Sequence, residues 1–275
     1  MTSPVLALAR VCQVKNMRLW KSLFTLLVLL QFSVALSTCA PQVDAAGSVE
    51  ILSSTGYLDS SGNYHVVGEV QNVGSQAVNF IQVTATFYDS QDIVVDSRFD
   101  LTMLYVLLNG RKSPFEVALL DVAESSHVSR YSLAVTYLDT SPLPLKLEIL
   151  SASNHVDDDG AMHTVGTLKN VGSEKLVNAK IVATYYDTSS RVVAASLTSF
   201  DPELTGDINP NQTVQFEIKL PNERAQYVHT NALAAESNQY TMIPEYPQGT
   251  VQAILLSSLL TIFLNKRRKD QRQPR

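Results

Sequence analysis

Cysteine is nearly absent from this 275-residue chain: Cys12 and Cys39 are the two it has. Both lie in the first 45 residues, so whatever folds downstream does so with no disulfide framework and no thiolate metal site. Charge is sparse as well, at 17% Asp, Glu, Lys and Arg. Positive charge is scarcest in the middle of the chain, where residues 48–243 carry 23 acidic side chains against 11 basic ones. An acidic body repels a phosphate backbone, which argues against nucleic acid as a partner. Motifs of enzyme chemistry are missing too. There is no GxSxG, HExxH, CxxC or GxxxxGK[ST], and no GxGxxG following a strand. The expectation is a protein that is not an enzyme and carries no cofactor.

The basic residues missing from the middle sit at the two ends. Arg18 and Lys21 precede LFTLLVLLQFSVAL, Leu23–Leu36, which is too short for a comfortable membrane span and suits the apolar region of an export signal. Val43-Asp44-Ala45 offers cleavage before Ala46, and Met17 offers an alternative start. Cys39 sits where a weak lipoprotein box would place it, although Thr38 fits that motif poorly. At the other end TVQAILLSSLLTIFL, Thr250–Leu264, runs into Lys266-Arg267-Arg268-Lys269. As a helix it would reach about 22 Å, short of the roughly 30 Å hydrocarbon core. The basic cluster belongs on the cytoplasmic side, which puts the intervening chain outside the membrane.

An internal repeat dominates that intervening chain. Across Val66–Asp89 and Thr164–Asp187, without a gap, 10 of 24 positions are identical, including Asn72–Ser75 and Asn170–Ser173, both NVGS. A period near 98 is too long for a solenoid and matches a small domain. Within each copy apolar and polar residues alternate with period two, as in Ile81, Val83, Ala85 and Phe87 against Gln82, Thr84, Thr86 and Tyr88. Turn chemistry separates these runs at Asp59–Gly62, Asp157–Gly160, Asn109-Gly110 and Asn209-Pro210. The pattern predicts about seven short strands per copy and no helix. The fold class expected is all-β, two tandem immunoglobulin-like β-sandwich domains flanked by an N-terminal signal helix and a short C-terminal membrane helix. The boundaries read as residues 1–45 for the signal, 46–141 and 142–240 for the two sandwiches, and 241–275 for a Pro-containing stalk, apolar segment and basic tail. NVGS itself reads as a turn, with Gly74 and Gly172 supplying permissive backbone and Asn72 and Asn170 a local hydrogen-bonding side chain.

Two family resemblances rest on these residues. Strand, N-x-G turn, a strand ending Ala85-Thr86-Phe87-Tyr88-Asp89 or Ala183-Thr184-Tyr185-Tyr186-Asp187, and a later Phe115-Glu116-Val117 or Phe216-Glu217-Ile218 together resemble the FxLYD domain. That is a small β-sandwich of archaeal and bacterial surface and secreted proteins. Ala stands where the family's first Phe would, an aromatic stands where Leu would, and the Tyr-Asp pair is kept. The tail, with Pro244, Glu245, Tyr246 and Pro247 before the apolar stretch and basic cluster, is similar to the PEF-type sorting signals of archaea. That resemblance implies processing by a membrane transpeptidase, an archaeosortase; the plain alternative is a single-span anchor behind a stalk.

Candidate sites are few. His65 and His163 correspond between copies, each following a turn, and read as strand-edge histidines or, with Asp157 and Asp159, as a weak metal site. Consecutive Asp157-Asp158-Asp159 point in different directions, unlike a calcium loop, so an exposed hairpin turn is the simpler reading. Asn211 heads the one N-x-[ST] sequon and is a glycosylation candidate. The function these features imply is structural, adhesive or protein-binding display at the outer face of the cytoplasmic membrane. Its partners would be the membrane, other envelope proteins and the transpeptidase. The alternative is an accessory or solute- or metal-binding subunit of a membrane complex.

Overall fold

The structure, a computed structural model, describes residues 47–200 and 207–243. The signal-like segment with Cys12, Met17 and Cys39, the Pro244–Pro247 motif, and the apolar and basic C-terminal stretches lie outside the described residues. Among the described residues no helix is long and apolar enough to cross a membrane.

The first repeat supplies β1 (Val49–Leu58), β2 (Tyr64–Asn72), β3 (Ala77–Tyr88), β4 (Val94–Leu101), β5 (Val106–Leu107), β6 (Lys112–Leu119) and β7 (Arg130–Thr140). The second supplies β8 (Leu145–Val156), β9 (Met162–Asn170), β10 (Lys180–Tyr186), β11 (Val192–Ser199), β12 (Thr213–Leu220), β13 (Thr230–Glu236) and β14 (Thr241–Met242). The chain is predominantly β, as expected. The alternating pattern gave no sign of two single-turn helices, α1 (Val122–Ser125) and α2 (Asn222–Ala225), which bridge β6 to β7 and β12 to β13.

In the first repeat β1-β2-β6 form one sheet, and β4-β3 with β5 and β7 form the other. The second repeat pairs its strands the same way, β8-β9-β12 and β11-β10-β13, with one addition. Strand β14 pairs antiparallel with β13 and parallel with β8, joining the two sheets into one of seven strands. Each repeat has its own apolar core. Val66, Ile81, Val83, Phe87, Phe115 and Leu119 fill the first, and Leu168, Ile181, Tyr185, Phe216 and Ile218 the second.

The recurring aspartates set the hairpins. Asp59, Asp89, Asp157 and Asp187 each accept, through Oδ1, the backbone N–H groups two and four residues on. The Asp of the Tyr-Asp pair is therefore a turn-forming residue. Gly62 and Gly160 take positive φ in the first and third of these turns, while Asp92 and Ser190 take it in the other two.

NVGS departs from the expectation in one respect. Gly74 and Gly172 do not adopt positive φ. Gly172 is instead needed for space, since a Cβ there would lie 2.2 Å from the Tyr240 ring. The working part of the motif is the asparagine. Asn72 and Asn170 are fully buried. Each donates Nδ2 to two carbonyls, of Gln76 and Leu107 or of Glu174 and Ile208, and accepts the N–H of Gly74 or Gly172.

Gly68 and Gly166, in the Val-Gly strands, are also matters of space. A Cβ at Gly68 would meet Phe115 at 2.4 Å and the Ser53 carbonyl at 2.6 Å; at Gly166 it would meet the Ser151 carbonyl at 2.2 Å and Phe216 at 2.6 Å. Backbone cannot yield as a flexible side chain can, so Gly68→Ala and Gly166→Ala should each cost about 1–3 kcal/mol in urea unfolding. The losses should add in the double variant because the sites are far apart.

Candidate functional site

Each histidine singled out in the sequence is held between two carboxylates. His65 Nε2 lies 3.2 Å from Asp59 Oδ2 and Nδ1 lies 2.8 Å from Glu116 Oε1. In the second repeat His163 Nε2 is 2.9 Å from Asp157 Oδ2, and Nδ1 is bonded to Glu217. Neither histidine is at a sheet edge: β2 and β9 are the middle strands of their three-stranded groups. A flat partner stacks on each ring, Tyr57 on His65 at 5.2 Å and His155 on His163 at 4.9 Å.

With both nitrogens bonded to carboxylates, these rings have no free lone pair for a metal and no free nitrogen for proton transfer to a substrate. Asp159 is not part of either cluster; its N–H closes the Asp157 turn. Among the described residues no group of three or more His, Cys, Asp or Glu could hold a metal ion. Asn211 sits at positive φ in an exposed turn before β12.

The networks carry a pH signature. The bond to Glu116 raises the His65 pKa above its ordinary 6.5, and the bond to Asp157 raises that of His163. The Asn63 side chain is the largest influence lowering Asp59 to about 2, and the His163 ring is the largest lowering Asp157 to about 2. Stabilisation from the raised imidazoles is complete below about pH 6.5 and is lost as pH rises through their folded values. Stabilisation from the lowered carboxylates is complete above about pH 3.8 and is lost as pH falls through about 2. The contribution of these two networks to the melting temperature should therefore be highest between about pH 4 and 6.5. The decline above that window should flatten in a His65→Gln/His163→Gln variant; an unchanged decline would assign it elsewhere.

The second notable feature is the seam between the repeats. The outer face of β1-β2-β6 packs on the outer face of β11-β10-β13, and the contacts are polar and specific. Thr55 Oγ1 donates to the Val192 carbonyl at 2.6 Å, and Val192 N–H donates to Ser53 Oγ at 3.3 Å. Tyr186 donates its hydroxyl to Glu69 at 2.5 Å, and Lys112 Nζ lies 3.0 Å from the same carboxylate. Glu236, 2% exposed, accepts the N–H groups of Tyr105 and Val106. Arg224 lies over the Tyr57 ring at 3.8 Å, and the Ser60 N–H donates to Glu223. The apolar part includes Val67, fully buried, and Val182, 1% exposed.

Beside these contacts a cavity of about 530 Å³ opens between the repeats, with Glu69, Arg111, Lys112, Asn154, Tyr186 and Asn231 among its polar walls. Arg111 donates to the Met242 carbonyl, and burial lowers its pKa. Among the described residues no carboxylate pairs with it. Sequence reasoning missed both seam and cavity, because their residues come from faces that each repeat, taken alone, would show to solvent.

The fold and site define an all-β, sandwich-like chain of two similarly paired repeats joined by a polar seam. No protein-family model matches it, and no curated protein matches it. Among solved structures it is similar in part to the exo-chitosanase CsxA of Amycolatopsis orientalis, at 14% identity over 70% of this chain and 26% of that one, with a TM-score of 0.26. Red sea bream transglutaminase matches at 11% identity over 72% and 31%, with a TM-score of 0.22. A β-glucuronidase from glycoside hydrolase family 2 matches at 10% identity over 66% and 23%, with a TM-score of 0.23. The chain spans about a quarter to a third of these proteins, and the likeness is too slight to lend it their activities.

Proposed function

We propose that this chain is a non-catalytic surface protein, two tandem immunoglobulin-like β-sandwiches of FxLYD type displayed outside the membrane for a structural, adhesive or protein-binding role. The N-terminal export signal carries it across the membrane and the apolar, basic-flanked C-terminal segment anchors it at the outer face of the cytoplasmic membrane, with the tail a substrate for a sorting transpeptidase. The observation that carries the reading is the seam. Buried Glu69 and Glu236 each take a hydrogen bond from the other repeat, which suits a stiff spacer or display unit. The titratable groups support it too, since both paired histidines are committed to their own repeats' carboxylates.

The test is calorimetry of residues 47–243 expressed alone, without metal or reductant. One cooperative β-type transition spanning both repeats is expected; two separate transitions, or none, would overturn the reading. Mass spectrometry of the native C terminus checks the tail, because loss of everything after about Gly249 marks processing and an intact Lys266–Lys269 cluster marks a retained anchor.

The cavity favours a second reading, capture of a small anionic solute, with Arg111 as the recognising cation. Succinate and acetate titrated into the chain would raise its melting temperature on that reading, and Arg111→Met would remove the effect.

A further inference from the structure

The seam uses one face of each repeat, and each repeat has both faces. The first repeat contributes its β1-β2-β6 face, leaving the outer face of β4-β3-β7 uncovered by the described residues. The second contributes its β11-β10-β13 face, leaving that of β8-β9-β12 uncovered by the described residues. The two uncovered faces are counterparts of the pair already joined, so the chain ends in complementary surfaces at opposite repeats.

Their chemistry retains much of the seam's. Ser53 and Thr55, which grip the backbone of Val192, correspond to Ser151 and Ser153, both exposed on β8. Val192, opposite Tyr186 in the β10–β11 pairing, corresponds to Val94, opposite Tyr88 in the β3–β4 pairing. Val94 is 54% exposed, with its backbone on an edge strand where a partner can reach it. Tyr186, which donates to Glu69, corresponds to Tyr88, and Glu69 corresponds to Thr167, again a hydroxyl facing an acceptor. The Tyr57–Arg224 contact becomes His155 facing Glu124, an imidazole beside a carboxylate that can accept its N–H. One carboxylate oxygen of Glu124 has no hydrogen-bond partner among the described residues. Gln82 and Thr136 replace Lys180 and Glu236, so no unpaired charge is buried at that point.

The uncovered face of the first repeat is also richer in exposed apolar side chains than a solvated sheet needs. Phe99 is 66% exposed, and Leu101 lies two residues along the same edge strand. Leu138 pairs with Asn79 beside the bulge at Phe80, itself 61% exposed and held at positive φ. Their counterparts Leu197, Ser199, Asn178 and Asn238 are exposed beside the seam, so these groups would lie at the rim of the contact rather than at its centre.

We infer that the chain associates head to tail with further copies of itself, the β8-β9-β12 face of one copy seating on the β4-β3-β7 face of the next in the arrangement the two repeats adopt within one chain. Such an interface is heterologous, so it leaves complementary faces free at both ends and extends into linear assemblies unless the rotation closes a ring. The inference rests on the seam's geometry and holds whether or not the chain is displayed on an envelope.

Cysteine cross-linking of the full chain in detergent tests it. With Cys12 and Cys39 replaced by Ser, Val94→Cys combined with Ser153→Cys should give, on mild oxidation, a ladder of dimers, trimers and higher species. Either substitution alone should stay monomeric, and Thr84→Glu, at the counterpart of buried Val182, added to the pair should cut the ladder at least tenfold. Circular dichroism of that variant should match the parent, separating loss of contact from loss of fold. A double variant that stays monomeric overturns the inference. So does a single-cysteine variant that dimerises, because that is the mark of a two-fold interface.

Discussion

A Glu236→Ala variant should lose about 3–5 kcal/mol of unfolding free energy, the cost of breaking a buried charge pair from one side. Its carboxylate is the hub of the seam. One oxygen accepts the Tyr105 N–H at 2.7 Å, the other the Val106 N–H at 2.8 Å, and Lys180 Nζ lies 3.6 Å away. Lys180 in turn sits over the Tyr105 ring at 3.7 Å. Burial raises the Glu236 pKa, against the pull of the two amides and the ammonium. Alanine removes every acceptor at once, leaves two N–H groups unbonded and leaves the desolvated Lys180 ammonium only the Tyr105 ring. Glu236→Gln, with one acceptor in place of two, should lose less, about 1–3 kcal/mol. Urea unfolding reads both, and a loss below 1 kcal/mol in the alanine variant would show that the seam is held elsewhere. The alanine variant should also split the single transition into two as the repeats come apart.

Asn72→Ala and Asn170→Ala should each cost about 2–3 kcal/mol, because each strands buried backbone groups. Asn72 serves the Gln76 and Leu107 carbonyls and the Gly74 N–H; Asn170 does the same for Glu174, Ile208 and Gly172. Asp is the informative control. It keeps the acceptor for the glycine N–H but presents oxygen to two carbonyls, so it should be worse than Ala, whereas an ordinary surface turn would tolerate it. Equal stability of Asn72→Asp and wild type would show that the carbonyl bonds are dispensable.

Much of the strand pattern was legible because each repeat has one solvated face, and alternation reports that directly. Strand β3 alternates cleanly, with Ile81, Val83, Ala85 and Phe87 inside. Its counterpart β10 does not: Val182 and Thr184, on the nominally outer face, are buried by the first repeat. An unbroken buried run in IVATYY was the one sequence trace of the seam, and it is too short to be told from ordinary variation. The asparagine of NVGS was visible as a repeated residue, but its partners at 107 and 208 lie too far along the chain for local turn chemistry to suggest them. The carboxylate networks were half legible. His65 and His163 stood out as a matched pair, and Glu116 and Glu217 stood out in the Phe-Glu-aliphatic strands. Only antiparallel pairing of β2 with β6 and β9 with β12 brings each pair together. Strand β14 had no sequence signal, being two residues long and without a counterpart in the first repeat.

That short strand has a mechanical consequence. Because β14 runs parallel to β8, tension that draws residue 144 one way and residue 243 the other slides the two strands lengthwise past each other. The bonds from the Thr241 N–H to the Pro144 carbonyl and from the Ile243 N–H to the Leu147 carbonyl then share the load. With Arg111 of the first repeat fastened to the Met242 carbonyl between them, a pull on the end of the second repeat is resisted by both repeats together. Stretched between those two points, the protein should behave as a clasp that yields all at once, where an antiparallel hairpin would unzip bond by bond.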